Sequence, residues 1–340
     1  VMTSRTNIVV KNESSYLSLC RSKVLLNITS KILANKVEVK AGYDWVERLW
    51  AWADENKIDD LHNVGKGFNK QYNRGMPRDK KSLLNLEELN LYKYDLTYLP
   101  KELGNLKNLK KLHLYENRLR VLPKELGSLT NLTELSISKN NLTKLPNELG
   151  ELKNLEVLSV LGNKLVELPK SIGNLKKLVK LNLLGNKLKF IPNEVCLLTN
   201  LESLSLFDNE LIELPNDIGN LKNLTELLVN NNYLTKLPKS IGSLINLEYL
   251  WVYENRLDSL PKEIGKLKNL TDLWIYENKL TELPTEIGSL NSLKELWVSK
   301  NKIATIPASL GNLKELTQIN VSKNNLKDLP KQLFKLEKLD

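Results

Sequence analysis

Three tryptophans recur at a constant interval and offer the clearest candidate for binding chemistry in the sequence. Trp251, Trp274 and Trp297 each lie between a leucine and a β-branched residue. An indole ring buries a large apolar area and attracts a cation over its face, which is worth about 0.5 to 2 kcal/mol per contact. The three side chains therefore predict a surface that binds apolar or positively charged groups.

Further aromatic, apolar and acidic side chains recur beside the tryptophans. Tyr253 and Tyr276 follow two positions later, and Glu254 and Glu277 come next. The other predicted members of the site are Phe207, Leu228, Tyr233 and Tyr249. An aromatic floor with an acidic edge suits a protein or peptide that presents basic and apolar groups. Nucleic acids are not expected, because phosphate backbones require basic grooves.

These residues belong to a repeat that organises most of the chain. The pattern L-x-x-L-x-L-x-x-N-x-L returns throughout and is typical of leucine-rich repeats. Its asparagines, 23 residues apart, are Asn117, Asn140, Asn163, Asn186, Asn209, Asn232, Asn255, Asn278, Asn301 and Asn324. We count about eleven units over 76–340, and the first full unit has Tyr94 in place of the asparagine.

Each unit is expected to supply one strand of a parallel sheet. The leucines point inward and the residues between them point outward, because successive side chains of a strand alternate between its faces. The asparagine is polar but lies among apolar residues, so we expect its side chain to hydrogen-bond neighbouring backbone in a ladder. Proline ends the strand side, and the glycine that follows is expected to permit a turn.

From about Met76 to Leu339 the chain resembles bacterial leucine-rich repeat proteins with 23-residue units, of the Leptospira type. The L-P-x-x-I-G-x-L half of each unit also resembles the Ras-group repeat proteins of plants and animals. The resemblance implies an α/β repeat solenoid, a horseshoe with a concave parallel β-sheet and short helical or 3-10 convex segments. It also implies a protein that recognises other proteins or ligands without catalysing a reaction.

The sequence before the repeats divides into two further parts. Residues 1–43 are expected to form a basic leader, partly ordered or flexible, and 44–75 a capping helix followed by a loop. The helix is predicted from Trp45 to about Asn56, with Asp44 as its N-cap. Its aromatic residues could bind a partner, but covering the open end of the solenoid is the favoured interpretation.

Charge and cysteine content leave the compartment open. The net charge is +10, and seven basic against two acidic residues in 1–43 account for half of it. Two cysteines give no disulfide framework, and Cys196, at a position where other units have glycine, is interpreted as a small substitute. No apolar run approaches membrane-spanning length. A cytoplasmic location is favoured, with secretion as the alternative if a leader was removed.

Catalysis is not expected from this inventory. The sequence has two histidines, and it contains no metal-ligand spacing, nucleophile motif or phosphate loop. We therefore predict a non-enzymatic protein- or peptide-recognition module without cofactor or metal. The alternatives are a carbohydrate-binding module, a structural or oligomerising scaffold, and a secreted effector; the sequence does not identify the partner or the oligomeric state.

Two weaker interpretations concern the aromatic residues themselves. The units that begin at Leu247 and Leu270 are nearly identical, so internal duplication could have copied the rings, or the rings could simply stiffen the sheet. A second cluster, formed by Tyr92, His113, Tyr115 and Glu116, is interpreted as a solvated face.

Overall fold

The computed structural model describes residues 44–61 and 74–339. Among these residues, two α-helices precede the sheet: α1 is Trp45–Glu55 and α2 is Lys80–Leu84. The predicted N-terminal helix is therefore present. The predicted leader, 1–43, and most of the predicted loop, 62–73, lie outside the described residues.

Eleven short strands form one parallel sheet in the order of the sequence. The strands are β1 Glu88–Asn90, β2 Lys111–His113, β3 Glu134–Ser136, β4 Val157–Ser159, β5 Lys180–Asn182, β6 Ser203–Ser205, β7 Glu226–Leu228, β8 Tyr249–Trp251, β9 Asp272–Trp274, β10 Glu295–Trp297 and β11 Gln318–Asn320. Neighbouring strands pair residue for residue at a shift of one unit, so equivalent positions form columns across the sheet. The predicted leucine-rich repeat solenoid is confirmed.

The repeated apolar residues form one continuous core. In the unit that contains β8, the buried side chains are Leu247, Leu250, Val252, Leu257, Leu260 and Ile264. A single unit could not bury its apolar side chains by itself. Stacking the units buries the apolar side of each one against its neighbour. Because every strand places its middle residue in this core, its first and third residues must face outward.

The predicted asparagine ladder is present and links each unit to the one before it. Asn255 donates from Nδ2 to the carbonyl oxygens of Val229, at 3.0 Å, and Val252, at 3.1 Å. Its Oδ1 accepts from the Leu234 amide at 2.9 Å. The equivalent asparagines repeat these bonds, which satisfy buried backbone groups that no strand pairing reaches.

Short 3-10 turns form the opposite side of the solenoid. They span Lys101–Asn105, Lys124–Ser128, Asn147–Glu151, Lys170–Asn174, Asn193–Leu197, Ile218–Asn220, Lys239–Ser243, Lys262–Lys266, Thr285–Ser289, Ala308–Asn312 and Leu333–Lys335. Their glycines are required by close packing between units and not by a special turn conformation. A Cβ on Gly265 would lie 2.3 Å from the Glu286 carbonyl oxygen. The last of these turns, Leu333–Lys335, follows the final strand of the sheet.

The left-handed turn of each unit lies elsewhere, at the residue before the ladder asparagine. Glu254 has φ 52° and Glu277 has φ 54°, while Gly162 and Gly185 occupy the same position with φ 64°. A positive φ is uncommon for residues other than glycine, so this position is strained in most units.

The first repeat packs against residues just before it. Within α1, Leu49, Trp52 and Ala53 are buried, and Trp52 meets Tyr98 edge-on with ring centroids 6.4 Å apart. The Trp50 indole donates to the Pro77 carbonyl oxygen at 2.9 Å. This part of α1 therefore covers apolar surface of the first unit, as expected of a cap.

Candidate functional site

The predicted tryptophans occupy the outward face of three adjacent strands. Trp251, Trp274 and Trp297 are the last residues of β8, β9 and β10, and the register pairs each with the next. Their neighbours Leu250, Leu273 and Leu296 are fully buried on the other face. The alternation of the strand thus holds three indoles in one column, about 4.8 Å apart at the backbone.

The three indoles do not stack uniformly. Trp251 and Trp274 are nearly parallel, with ring centroids 4.4 Å apart and an interplanar angle of 2°. Trp274 and Trp297 are 5.9 Å apart and inclined by 53°. The first pair covers one indole face with another, whereas the second pair diverges.

Hydrogen bonds from the indoles explain the difference. The Trp274 and Trp297 Nε1 atoms both donate to Glu295 Oε2, each at 3.2 Å. Trp251 Nε1 is buried and has no hydrogen-bond partner within 44–61 and 74–339. The residue equivalent to Glu295 for this ring is Asp272, which is one methylene shorter and accepts from the Thr271 hydroxyl at 2.5 Å. Glu295 therefore bridges the two indoles of the inclined pair, whereas in the parallel pair only Trp274 is hydrogen-bonded to it.

A groove of about 210 Å³ opens between the inclined rings, and we call it the indole groove. Its lining residues are Trp274, Tyr276, Glu277, Trp297, Ser299 and Lys300. The exposed surface inside it is mainly apolar, with one carboxylate and one ammonium group at its rim. It has room for a single side chain of a partner.

The two predicted tyrosines form a second stack beside the tryptophans. Tyr253 and Tyr276 have ring centroids 4.4 Å apart and an interplanar angle of 8°, and Tyr253 also lies 6.2 Å from Trp274. Burial is the main cause that raises the pKa of both hydroxyls above the usual value. Both tyrosines are therefore neutral at physiological pH, and five rings form one contiguous surface.

The predicted acidic edge is partly neutralised by the protein itself. Glu277 accepts a hydrogen bond from Lys300 Nζ in an ion pair. Glu254, one unit earlier in the same column, is exposed and has no side-chain partner among the residues described. The sequence analysis did not include Lys300 in the site, although its position 23 residues after Glu277 was a usable signal.

The remaining predicted residues are distributed less tightly. Leu228 is 8% exposed and pairs in register with Trp251, and Tyr249 at the start of β8 is 39% exposed. Phe207 is half-buried on the same face. Tyr233 lies in another column, after the ladder asparagine, where the Arg256 guanidinium covers its ring at 4.3 Å.

The weaker cluster at the other end of the sheet is also built around stacked rings. Tyr92 and Tyr115 have centroids 4.9 Å apart at an angle of 13°. The Arg74 guanidinium lies 5.4 Å from the Tyr92 centroid and 4.3 Å from that of Tyr94, and Lys93 Nζ lies 5.9 Å from Tyr92. Sequence analysis identified the rings but not these cations.

A ladder of charges runs along this second cluster. The Glu116 carboxylate forms ion pairs with Lys139 Nζ at 2.9 Å and Lys93 Nζ at 3.1 Å. Hydrogen bonds from these lysines lower the pKa of its carboxyl. His113 lies 3.8 Å from Glu88 and 3.9 Å from Glu134. The protein's own charged groups therefore occupy this face.

The described part of the chain shows no cluster of His, Cys, Asp and Glu that could hold a metal ion. Cys196 is buried, and burial raises the pKa of its thiol to about 12, so the thiol is protonated and unreactive. Over the same described ranges, no helix has the length and apolar character needed to cross a membrane.

Comparisons with known proteins agree with this architecture. The family model described as leucine-rich repeat region matches residues 67–164, 124–210, 193–279 and 236–340. No curated protein matches the chain significantly. A solved leucine-rich repeat protein of Leptospira interrogans is similar at 39% sequence identity and a TM-score of 0.63, covering 76% of this chain and 72% of that one.

Two other solved structures extend the comparison. The plant peptide hormone receptor RGFR1, in complex with RGF2, shares 32% identity at a TM-score of 0.54, over 77% of this chain and 52% of the receptor chain. An internalin, InlF of Listeria monocytogenes, shares 24% identity at a TM-score of 0.60, over 76% of this chain and 80% of its own, and is alike in fold alone. With repeats matched over 67–340 and a bacterial relative at 39% identity, the chain belongs to the leucine-rich repeat proteins of the bacterial type.

Proposed function

We propose that this protein is a non-enzymatic recognition module that binds a protein or peptide through the five-ring surface of β8 to β10. Leucine-rich repeat proteins commonly bind proteins and peptides on a scaffold that is typically not catalytic, and RGFR1 was solved with the hormone RGF2. The observation that carries the proposal is that the tryptophan and tyrosine stacks lie open on the outward face of the sheet.

Contiguous exposed aromatic surface favours binding over a purely structural role. Trp251, Trp274 and Trp297 remain partly exposed, although the sheet could bury apolar side chains more fully on its other face. Large apolar patches on soluble proteins usually mark interaction sites, and tryptophan and tyrosine are enriched among residues that dominate binding energy. In this role the tryptophans anchor the ligand, Tyr253 and Tyr276 flank it, and Glu254 selects for positive charge.

The ring geometry favours a peptide over a sugar. A sugar ring stacks on a free aromatic face, but Trp251 and Trp274 cover one another at 4.4 Å. The accessible feature is the indole groove, which is narrow and admits a side chain. Carbohydrate binding and self-association through the same surface are outcomes that the experiment must separate.

The test is selection of a phage-displayed random peptide library on the intact chain, with parallel selection on two variants. One variant carries Trp251→Ala, Trp274→Ala and Trp297→Ala; its matched control carries Tyr92→Ala and Tyr115→Ala at the other end of the sheet. We expect related peptides to be enriched on the wild type and the control but not on the triple variant.

Three results would contradict the proposal. Equal enrichment on the triple variant would remove the tryptophans from the site. Absence of enriched peptides together with binding to an array of neutral oligosaccharides would favour the carbohydrate alternative. A dimer in sedimentation that the triple variant abolishes would show that the surface is covered by a second copy.

A further inference from the structure

Resting on the proposed function, we propose that the indole groove binds the guanidinium of an arginine side chain of the partner, in exchange for Lys300. The groove lies between Trp274 and Trp297, whose rings are inclined to one another by 53° with centroids 5.9 Å apart. A guanidinium is flat and weakly hydrated, so it can lie against both rings at once. An ammonium group is compact and strongly hydrated, and gains less from such a site.

The protein's own aromatic clusters support arginine as the occupant. Arg74 lies over Tyr92 and Tyr94, and Arg256 lies over Tyr233 with a separation of 4.3 Å. Across 44–61 and 74–339, no lysine or arginine lies over the rings of the five-ring surface. Three tyrosines elsewhere are thus covered by guanidinium groups from within the chain. The indole groove is also aromatic, but its one lysine, Lys300, pairs with Glu277 at the rim and does not lie over the rings.

Charge at the groove also favours a cation. Glu277 at the rim forms an ion pair with Lys300, whereas Glu295 accepts hydrogen bonds from both indoles and forms no ion pair with any of the residues described. Both members of the Glu277–Lys300 pair remain partly exposed, with 36% and 47% of their side chains accessible. An exposed ion pair is worth little, so an incoming guanidinium can replace Lys300 at Glu277 at small cost.

Lys300 therefore acts as an internal competitor for the groove. Removing its ammonium frees Glu277 and relieves repulsion toward an incoming cation. The same change would weaken binding if the true occupant were an anion held by Lys300, and would have little effect on an apolar occupant. The sign of the Lys300 effect thus distinguishes the three kinds of ligand.

Fluorine NMR of the full chain labelled with 5-fluorotryptophan tests the inference directly. The protein has six tryptophans, and Trp45, Trp50 and Trp52 serve as internal controls. The probes are N-acetyl-arginine amide, the corresponding lysine and leucine amides, and the neutral isostere citrulline amide. Single Trp→Phe variants assign the resonances.

We expect arginine amide to shift the Trp274 and Trp297 resonances, with an affinity at least about threefold above that of lysine amide. Citrulline and leucine amides should bind more weakly, and the three N-terminal tryptophans should not respond. Lys300→Met should raise the arginine affinity by about threefold or more, and Glu277→Gln should lower it. Lys323→Met, at the same repeat position one unit later, is the matched control and should have little effect.

The inference is overturned if no resonance of Trp274 or Trp297 responds to arginine amide, if citrulline or leucine binds as well, or if Lys300→Met weakens binding. Its failure is distinguishable from failure of the proposed function. Selected peptides that need the tryptophans but tolerate replacement of every arginine would leave the recognition surface intact and remove only the arginine assignment.

Discussion

Two stacks of tyrosines occupy the same repeat position in different parts of the sheet, yet their surroundings differ in charge. Tyr92 and Tyr115 stack at 4.9 Å, and Tyr253 and Tyr276 stack at 4.4 Å. The residue after the first ring is Lys93 in one stack and Glu254 in the other. In the first stack, Arg74 and Lys93 lie over the Tyr92 ring; in the second, no cation lies over either ring among the residues described.

The comparison shows that stacked rings alone do not mark a binding site. Register brings equivalent residues together wherever two successive units carry an aromatic side chain, so stacking follows from the repeat. The neighbouring columns decide what remains accessible: at the N-terminal stack they supply cations, and at the C-terminal stack they supply tryptophans and carboxylates.

The largest expected difference between the two regions is in stability. Trp274→Ala removes contacts with three rings and one hydrogen bond to Glu295, so we expect the free energy of unfolding to fall by about 2 to 3 kcal/mol. Tyr115→Ala removes one stacked partner and should cost about 1 kcal/mol. Urea unfolding followed by circular dichroism measures both; equal losses would mean that the five-ring surface is not a connected unit.

Removing the cation from the N-terminal stack should make it resemble the C-terminal one. Arg74→Ala abolishes the contacts over Tyr92 and Tyr94 and an ion pair with Asp59 at 3.6 Å, at an expected cost of about 1 kcal/mol. Arg118→Ala breaks an exposed ion pair with Asp95 and is the control, with an expected cost below about 0.5 kcal/mol. Indistinguishable urea midpoints for the two variants would refute a role for the guanidinium over the rings.

A smaller and opposite effect is expected where an indole lacks its acceptor. Asp272→Glu adds the methylene that lets a carboxylate reach Trp251 Nε1, as Glu295 reaches Trp274, and should stabilise the fold by about 0.5 to 1 kcal/mol. Asp272→Asn, which adds no length, should give no gain. If thermal unfolding shows the glutamate variant to be no more stable than the wild type, the short side chain of Asp272 is not what leaves the Trp251 indole unpaired.

The smallest expected effect appears at high pH. Burial raises the pKa of Tyr276 above its usual value near 10, so the unfolded chain loses this proton first as the pH rises. Stability should therefore be unaffected by this group below pH 10 and should decline above it. Tyr276→Phe should reduce that alkaline decline relative to the wild type in urea titrations at pH 9 and 11, and an unchanged decline would contradict burial of this hydroxyl.

The backbone arrangement could be predicted because every unit repeats the same sequence pattern. One leucine pattern per 23 residues sets the strand, and one asparagine per unit sets the link to the previous unit, as the bonds of Asn255 show. The role of glycine was harder, because the contact that requires Gly265 comes from the carbonyl of Glu286 in the next unit. A pattern within one unit does not show how closely the next unit approaches.

The details of the candidate site depend on side-chain rotamers that the repeat does not specify. The sequence places Trp274 and Trp297 in one column, but the 53° angle between them follows from the position of the Glu295 carboxylate. Likewise, the sequence predicts Tyr233 as a member of the tryptophan site. In the structure it lies in a separate column, where the Arg256 guanidinium covers its ring. Columns are thus predictable, and the contacts made between columns are not.

The most direct test of the account is isothermal titration calorimetry of the best selected peptide against three proteins: the wild type, the triple tryptophan variant and the Tyr92→Ala, Tyr115→Ala control. We expect the triple variant to lose at least about 30-fold in affinity, as for anchor residues worth about 2 kcal/mol or more, and the control to match the wild type. An equal loss in both variants, or none in the triple variant, would contradict the claim that the open stack of β8 to β10 is the recognition surface.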